Sequence, residues 1–180
     1  MIIEDGLTGK TVEVDSSNRL KVKAVIEDEF VSAIENGEGY VWTNATYDYD
    51  ASDTILLVKN DNSKMNLLIK RIVMSSDAAT YATIHSPTAA FTATGTTVTG
   101  VNLNLTSGKI AVASSWADES GNVQGKVFRR PAMPVANTDY TVDFGEGVVI
   151  LGNGQSIGVD YITTGTACRV SIYGYFDEIE

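Results

Sequence analysis

Gly6-Leu7-Thr8-Gly9-Lys10-Thr11 has the residue types of a phosphate-cradling loop, but that loop needs four residues between its glycines and this one has two. No strand pattern precedes it and no helix pattern comes after, so it is set aside as a phosphate site. Gly152-Asn153-Gly154-Gln155-Ser156-Ile157-Gly158 comes after an apolar run, yet its third glycine falls one position late for a dinucleotide fingerprint and the residues beyond it alternate like a strand. A turn between two strands explains these glycines better. Gly154 to Gly158 is also a formal match to the nucleophile elbow of hydrolases, with Ser156 as nucleophile. The single histidine, His85, precedes that serine instead of coming after it, and the helix after the elbow is missing. His85 is read as an exposed or hydrogen-bonded residue near a strand end.

Asp48, Asp50 and Asp53 carry hard oxygen ligands suited to Ca²⁺, but the stretch lacks the glycine at the sixth position of an EF-hand loop and has Lys59 where the twelfth-position acid belongs. An ion site of another kind stays open there. With 23 acidic residues, some carboxylate pair will always have a glycosidase-like separation, so abundance empties that signal. No catalytic residue, no cofactor and no metal ligand is therefore assigned from the sequence. Two clusters remain. Tyr40, Trp42, Tyr47 and Tyr49 gather in one stretch, and Tyr173, Tyr175 and Phe176 in another; aromatic faces of this kind stack on sugars, fill partner pockets or build a core. Arg129-Arg130-Pro131, with Lys126 just before, is the other; Pro131 biases Arg130 towards extended backbone, which places both guanidinium forks at a strand end as a subunit contact or a solvated loop.

These residues sit in a chain of 180 with 13 Lys plus Arg against 23 Asp plus Glu, a net charge of −10. Such a surface argues against a generic nucleic-acid binder, because neutralising phosphates needs basic charge. The length suits one domain, and 43% apolar residues supply a core. Cys168 has no intrachain partner. The start, Met1 to Asp5, is acidic where a secretory signal is basic, which points to cytoplasmic synthesis, and no apolar run approaches a membrane span.

About 50 residues are Thr, Val or Ile, whose branched side chains fit a pleated surface, so an all-β domain is expected. Leu20, Val22, Ala24 and Ile26 alternate with lysines, and Thr11 to Val14 alternates upstream of the turn residues Asp15 to Asn18; together these predict a hairpin. Thr54 to Val58 and Met65 to Met74 flank Asn60-Asp61-Asn62-Ser63 and predict a central hairpin. Further strands are expected at Tyr40 to Thr46, Tyr81 to His85, Thr96 to Leu105, Lys109 to Ala113, Lys126 to Phe128, Tyr140 to Phe144, Gly147 to Leu151, Ser156 to Ile162 and Ala167 to Phe176. Short strands at this spacing indicate a sandwich or jelly roll. Phe30, Val31 and Ile34 share a helical face before Asn36-Gly37, though the stretch can equally be read as strand and loop. The Thr- and Ala-rich tract from Ala89 to Thr99 reads as a loop running into a strand. Glu35 to Gly39 marks a boundary before a sandwich, 38–180; residues 1–37 ahead of it read equally as an amino-terminal arm or hairpin and as the first strands of the sandwich.

Three segments in order, Val12 to Val22, Leu57-Val58-Lys59-Asn60 through Leu67 to Ile72, and Val149 to Val159, resemble small virion structural proteins of tailed bacteriophages, in particular those that decorate or cement the capsid. The resemblance implies a jelly-roll-like sandwich, often a homotrimer, seated on the outer shell and clamping major capsid protein, with no catalytic residues, nucleic acid or membrane involved. It also implies an amino-terminal arm that lies along the shell or swaps between subunits. Edge strands carry unpaired backbone groups that an arm can cover, so Thr11 to Ile26 is the candidate exchanged segment. The candidate shell or subunit contacts are Val12, Val14, Leu20, Val22, Arg129 and Arg130. The alternative is a carbohydrate-binding or host-attachment module of a tail or head fibre, with Tyr40, Trp42, Tyr47 and Tyr49 as its platform.

Overall fold

The computed structural model describes residues 2–4, 11–13, 28–44, 47–49, 54–87, 95–119, 124–145, 148–163 and 165–178, with backbone alone at 2–4, 11–13, 47–49 and 119. In chain order the elements are β1 (Ile2–Glu4), β2 (Thr11–Glu13), α1 (Glu29–Glu35), β3 (Gly39–Thr43), β4 (Tyr47–Tyr49), β5 (Thr54–Asn60), β6 (Met65–Ser76), β7 (Thr80–Ser86), β8 (Thr96–Thr97), β9 (Val101–Asn102), β10 (Ala113–Glu119), β11 (Lys126–Arg129), β12 (Ala132–Met133), β13 (Tyr140–Asp143), β14 (Val149–Leu151), β15 (Ser156–Tyr161) and β16 (Gly165–Glu178). The protein is all-β. One sheet runs β11-β7-β15-β5-β10-β8 with β12 also on β7; the other runs β13-β6-β16-β3-β9, with β14 on β6 and β4 on β16. Every pairing between described strands is antiparallel.

A single apolar cluster joins the two sheets in a sandwich-like body. Leu56, Val58, Ile84, Ile157, Val159 and Tyr161 come from the first sheet, and Trp42, Leu67, Ile69, Ile72, Met74, Val170 and Ile172 from the second. On β16 the period of two is plain, with Cys168, Val170 and Ile172 buried between more exposed neighbours. On β6 the inward set is Leu67 and Ile69, then Ile72 and Met74, so the phase slips by one residue. A register shift opposite Tyr173 and Gly174 causes it: Arg71 pairs with Tyr173 and Ile69 with Gly174, leaving Lys70 as the extra residue of a bulge. Gly174 is required there, because a Cβ would sit 2.7 Å from Leu68 O.

Three of the sequence expectations are corrected by this topology. Thr54–Asn60 and Met65–Ser76 are strands, but they do not form a hairpin: β5 pairs with β10 and β15, and β6 with β13, β14 and β16. The short turn carries the chain from one sheet to the other. Its neighbours β10 and β15 satisfy the backbone on both edges of β5, and the cluster shared with the second sheet covers its inward face. Residues 109–112 are not a strand; the strand is β10, and the predicted strand over Thr96 to Leu105 is reduced to β8 and β9. Ala113–Glu119 is poor in β-branched residues, and its place between β5 and β8 overrides that weak propensity.

The remaining strand expectations from Tyr81 onward are met within a few residues, and the helical reading of Phe30 to Ile34 holds. Asp28 caps α1, its Oδ1 accepting from Phe30 N at 2.9 Å, and Gly37 at φ +74° ends it, with Gly37 N bonded to Ile34 O and Glu38 N to Ala33 O. α1 packs on β16 and β3, with Phe30 5.8 Å from Tyr175 ring to ring, so the described sandwich packing begins at 28, before the expected boundary at 38. Thr11–Glu13 pairs with Ile2–Glu4 in a two-stranded sheet of its own. The predicted partner strand, Leu20 to Ile26, lies outside the described residues. No helix among the described residues is long and apolar enough to cross a membrane.

Candidate functional site

Between β8 and β10 the chain leaves the edge of the first sheet, passes Gly100, and pairs as β9 with the edge of the second. Gly100 lies directly against the buried Trp42 indole: a Cβ there would come within 2.5 Å of Nε1. From Asn102 onward the loop is held by asparagine side chains, which bond readily to nearby backbone. Asn102 Nδ2 donates to Gly37 O at 2.9 Å and Lys109 O at 3.2 Å, while its Oδ1 accepts from Asn104 N. Asn104 Nδ2 donates to Glu35 O at 3.0 Å, and its Oδ1 accepts from Thr106 N and Thr106 Oγ1. These bonds fix the loop on the end of α1. Its outward face is apolar: Leu105 is 87% exposed and Ile110 78%, with Val101 and Val112 half exposed beside them.

Next to this loop, a groove of about 540 Å³ runs between α1 and the end of β16. Glu29, Glu38, Asp177 and Glu178 line it, and Lys109, ion-paired to Glu38, is its only lysine or arginine among the described residues. Tyr175 Oη donates to Glu29 Oε2 at 3.2 Å; burial first, and the Glu29 charge second, push the phenol up to about 12. The groove is thus an acidic surface.

At the opposite edge of the first sheet lies β11. Lys126, Val127, Phe128 and Arg129 are all exposed, as is Arg130 beyond them, and the outer side of β11 has no paired strand among the described residues. A register shift between Val127 and Arg129 bends this edge. None of the three cations is ion-paired to a carboxylate among the described residues.

Within the first sheet, His85 on β7 and Asp160 on β15 are adjacent and buried, with Nε2 2.9 Å from Oδ1. Thr54 Oγ1 donates to the same Oδ1 at 2.8 Å and Gln124 Nε2 to Oδ2 at 2.6 Å, while His85 Nδ1 has no hydrogen-bond partner among the described residues. Facing a carboxylate acceptor, Nε2 is the donor of this contact. Ser156 is two residues from the position opposite His85, so the elbow resemblance finds no histidine partner: that role is taken by Asp160. His85 is hydrogen-bonded as expected and sits inside the sheet, fully buried.

The residues singled out from sequence fall in different places. Tyr40 and Trp42 are 1% and 0% exposed and face the core, so they offer no stacking platform; their rings pack on one another, and Tyr40 packs edge-on against Phe176. Their inward alternation on β3 puts them there. The side chains of Tyr47, Tyr49, Val12 and Asp48, and the whole of Val14, Leu20, Val22, Asp50 and Asp53, lie outside the described residues. Among the described residues no group of three His, Cys, Asp or Glu is placed to hold a metal ion. Arg129 and Arg130 are at an exposed strand end, as expected. Missed were Leu105 and Ile110, because Val101, Leu103 and Leu105 mimic a strand; the Thr-Ser-Gly run at 106–108 was the available sign of a loop. Asp160 was missed because an acid at an alternating position reads as outward and solvated. Comparison with known proteins finds no matching family model, no matching curated protein and no matching solved structure.

Proposed function

We propose that this chain is a non-enzymatic virion structural protein that binds the outer surface of a phage capsid and stabilises it, as a decoration or cement protein. The observation that carries the reading is the apolar rim: aliphatic side chains, Leu105 and Ile110 foremost, stand exposed on a loop braced by five Asn102 and Asn104 hydrogen bonds to backbone. Exposed aliphatic groups on rigid backbone suit contact with another protein, where burial is favourable and little ordering entropy is lost. They do not stack on sugar rings. With Tyr40 and Trp42 in the core as well, the carbohydrate-binding or host-attachment reading comes second.

The finer fold reading is a jelly-roll-like sandwich: β5, β6 and β7 alternate between the sheets, β15 lies between β5 and β7, and β16 lies between β3 and β6. In this proposal the amino-terminal segment, 1–37 in the sequence reading, supplies the arm through the part ahead of α1, and β1 and β2 form a sheet separate from the other two. The partners are the major capsid protein and further copies of the chain, and the location is the virion surface after synthesis in the host cytoplasm. Clamping by several copies works through avidity, each later contact being effectively intramolecular.

Co-sedimentation with expanded, undecorated heads of the source particle tests the proposal. Saturable binding at a fixed ratio to the major capsid subunit supports it. Absence of binding to competent heads rejects it, and a glycan-array signal would then promote the attachment reading. Deleting residues 1–27, which spares α1, tests the arm: unchanged binding removes it from the contact.

A further inference from the structure

We propose that copies of this chain associate head to tail, the basic edge Lys126–Arg130 of one copy docking on the apolar loop and acidic groove of the next. The apolar loop lies at the edge opposite β11, since β11 begins the order of the first sheet and β8, which leads into the loop, ends it; the acidic groove adjoins that loop through Lys109, between α1 and the end of β16. They are complementary in both kinds of contact. Val127 and Phe128 are 40% and 43% exposed on one edge, and Leu105 and Ile110 are exposed on the other. Lys126, Arg129 and Arg130 supply cations, and Glu29, Asp177 and Glu178 supply carboxylates with no ion pair among the described residues.

Charge decides the geometry. A chain of net charge −10 repels its own copies over most of its surface, and a two-fold contact of groove on groove would set carboxylates against carboxylates. Joining unlike edges removes that penalty and lets arginine forks meet carboxylates in pairs. Such a contact is heterologous, so repetition gives a closed ring or an open filament. Docking also covers the outer side of β11, whose backbone groups otherwise invite uncontrolled pairing. The inference does not depend on the capsid reading, because it concerns the protein alone.

Sedimentation velocity of the full chain over a concentration series, up to about 100 μM, reads it without heads present. The wild type is expected above its monomer mass of 19.3 kDa. Arg129→Glu with Arg130→Glu, and separately Asp177→Arg with Glu178→Arg, should each weaken self-association by about tenfold or more, and so should Leu105→Asp, which replaces a side chain that supports no packing. Mixing the two charge-reversed proteins should restore complex formation, because the acidic edge of one fits the basic groove of the other. A monomeric wild type, or charge variants that associate like the wild type, overturns the proposal. So does a mixture that stays monomeric while both proteins keep the native near-ultraviolet circular dichroism. Head binding by a monomeric wild type would uphold the capsid reading and reject this one.

Discussion

Asn60, at the end of β5, reaches across to the other sheet: its Nδ2 donates to Leu151 O at 2.8 Å and also to Met65 O at 3.0 Å. Its Oδ1 accepts from Asn62 N, its own backbone N donates to Gln155 O, and its O accepts from Gly154 N. One buried residue thereby sets the sheet-to-sheet turn and docks the turn between β14 and β15 upon it.

Replacing Asn60 with Leu removes three side-chain hydrogen bonds at a fully buried position and strands polar backbone groups. The cost should be about 2–4 kcal/mol. Urea unfolding checks it; a loss below about 1 kcal/mol would mean that water or relaxation replaces the amide.

Asp160→Ala should destabilise by roughly 3 kcal/mol, because His85, Thr54 and Gln124 all lose their acceptor. A double-mutant cycle with His85→Ala should return a coupling of about 1–3 kcal/mol. Strict additivity would show that the two side chains do not depend on each other.

Gly100→Ala places a methyl in the Trp42 indole, at 2.5 Å from Nε1. Either the indole or the β8–β9 crossing has to move, and the cost should be about 1–3 kcal/mol. The tryptophan emission should shift to the red as Trp42 gains water; unchanged emission and stability would refute the close approach.

Tyr175, with a folded pKa of about 12 against 10 for a free phenol, adds stability that is present in full below pH 10 and is lost between pH 10 and 12. In Tyr175→Phe that loss should be smaller by up to about 2 kcal/mol, while Phe keeps the ring contact with Phe30. Chemical unfolding at about pH 9 and about pH 11.5, on either side of the free phenol's titration, measures the difference. Identical losses in the two proteins would contradict the contact with Glu29.

Most of the strands were legible in the sequence because burial on a sheet writes itself locally, as a period of two or an unbroken apolar run. Val149 to Leu151, Ser156 to Tyr161 and the alternation through β16 are cases. The helical face shared by Phe30, Val31 and Ile34 ahead of Asn36-Gly37 also suggested α1, although the stretch read equally as strand and loop; the Asp28 cap is seen only in the structure. The rim loop was not legible, because Val101, Leu103 and Leu105 satisfy a strand template as well as a loop that exposes its apolar groups.

The sequence by itself determined the all-β class, the acidic surface, the glycine turn at 152–154 and the basic cluster at 126–130, since each is a matter of residue type and near-neighbour spacing. Only the tertiary structure decided which strands pair, that β5 and β6 part into different sheets, that Asp160 turns inward to His85, and that Tyr40 and Trp42 enter the core. Those outcomes rest on contacts between residues far apart in the chain. The free energy of burial depends on which surfaces meet, and no local pattern encodes that.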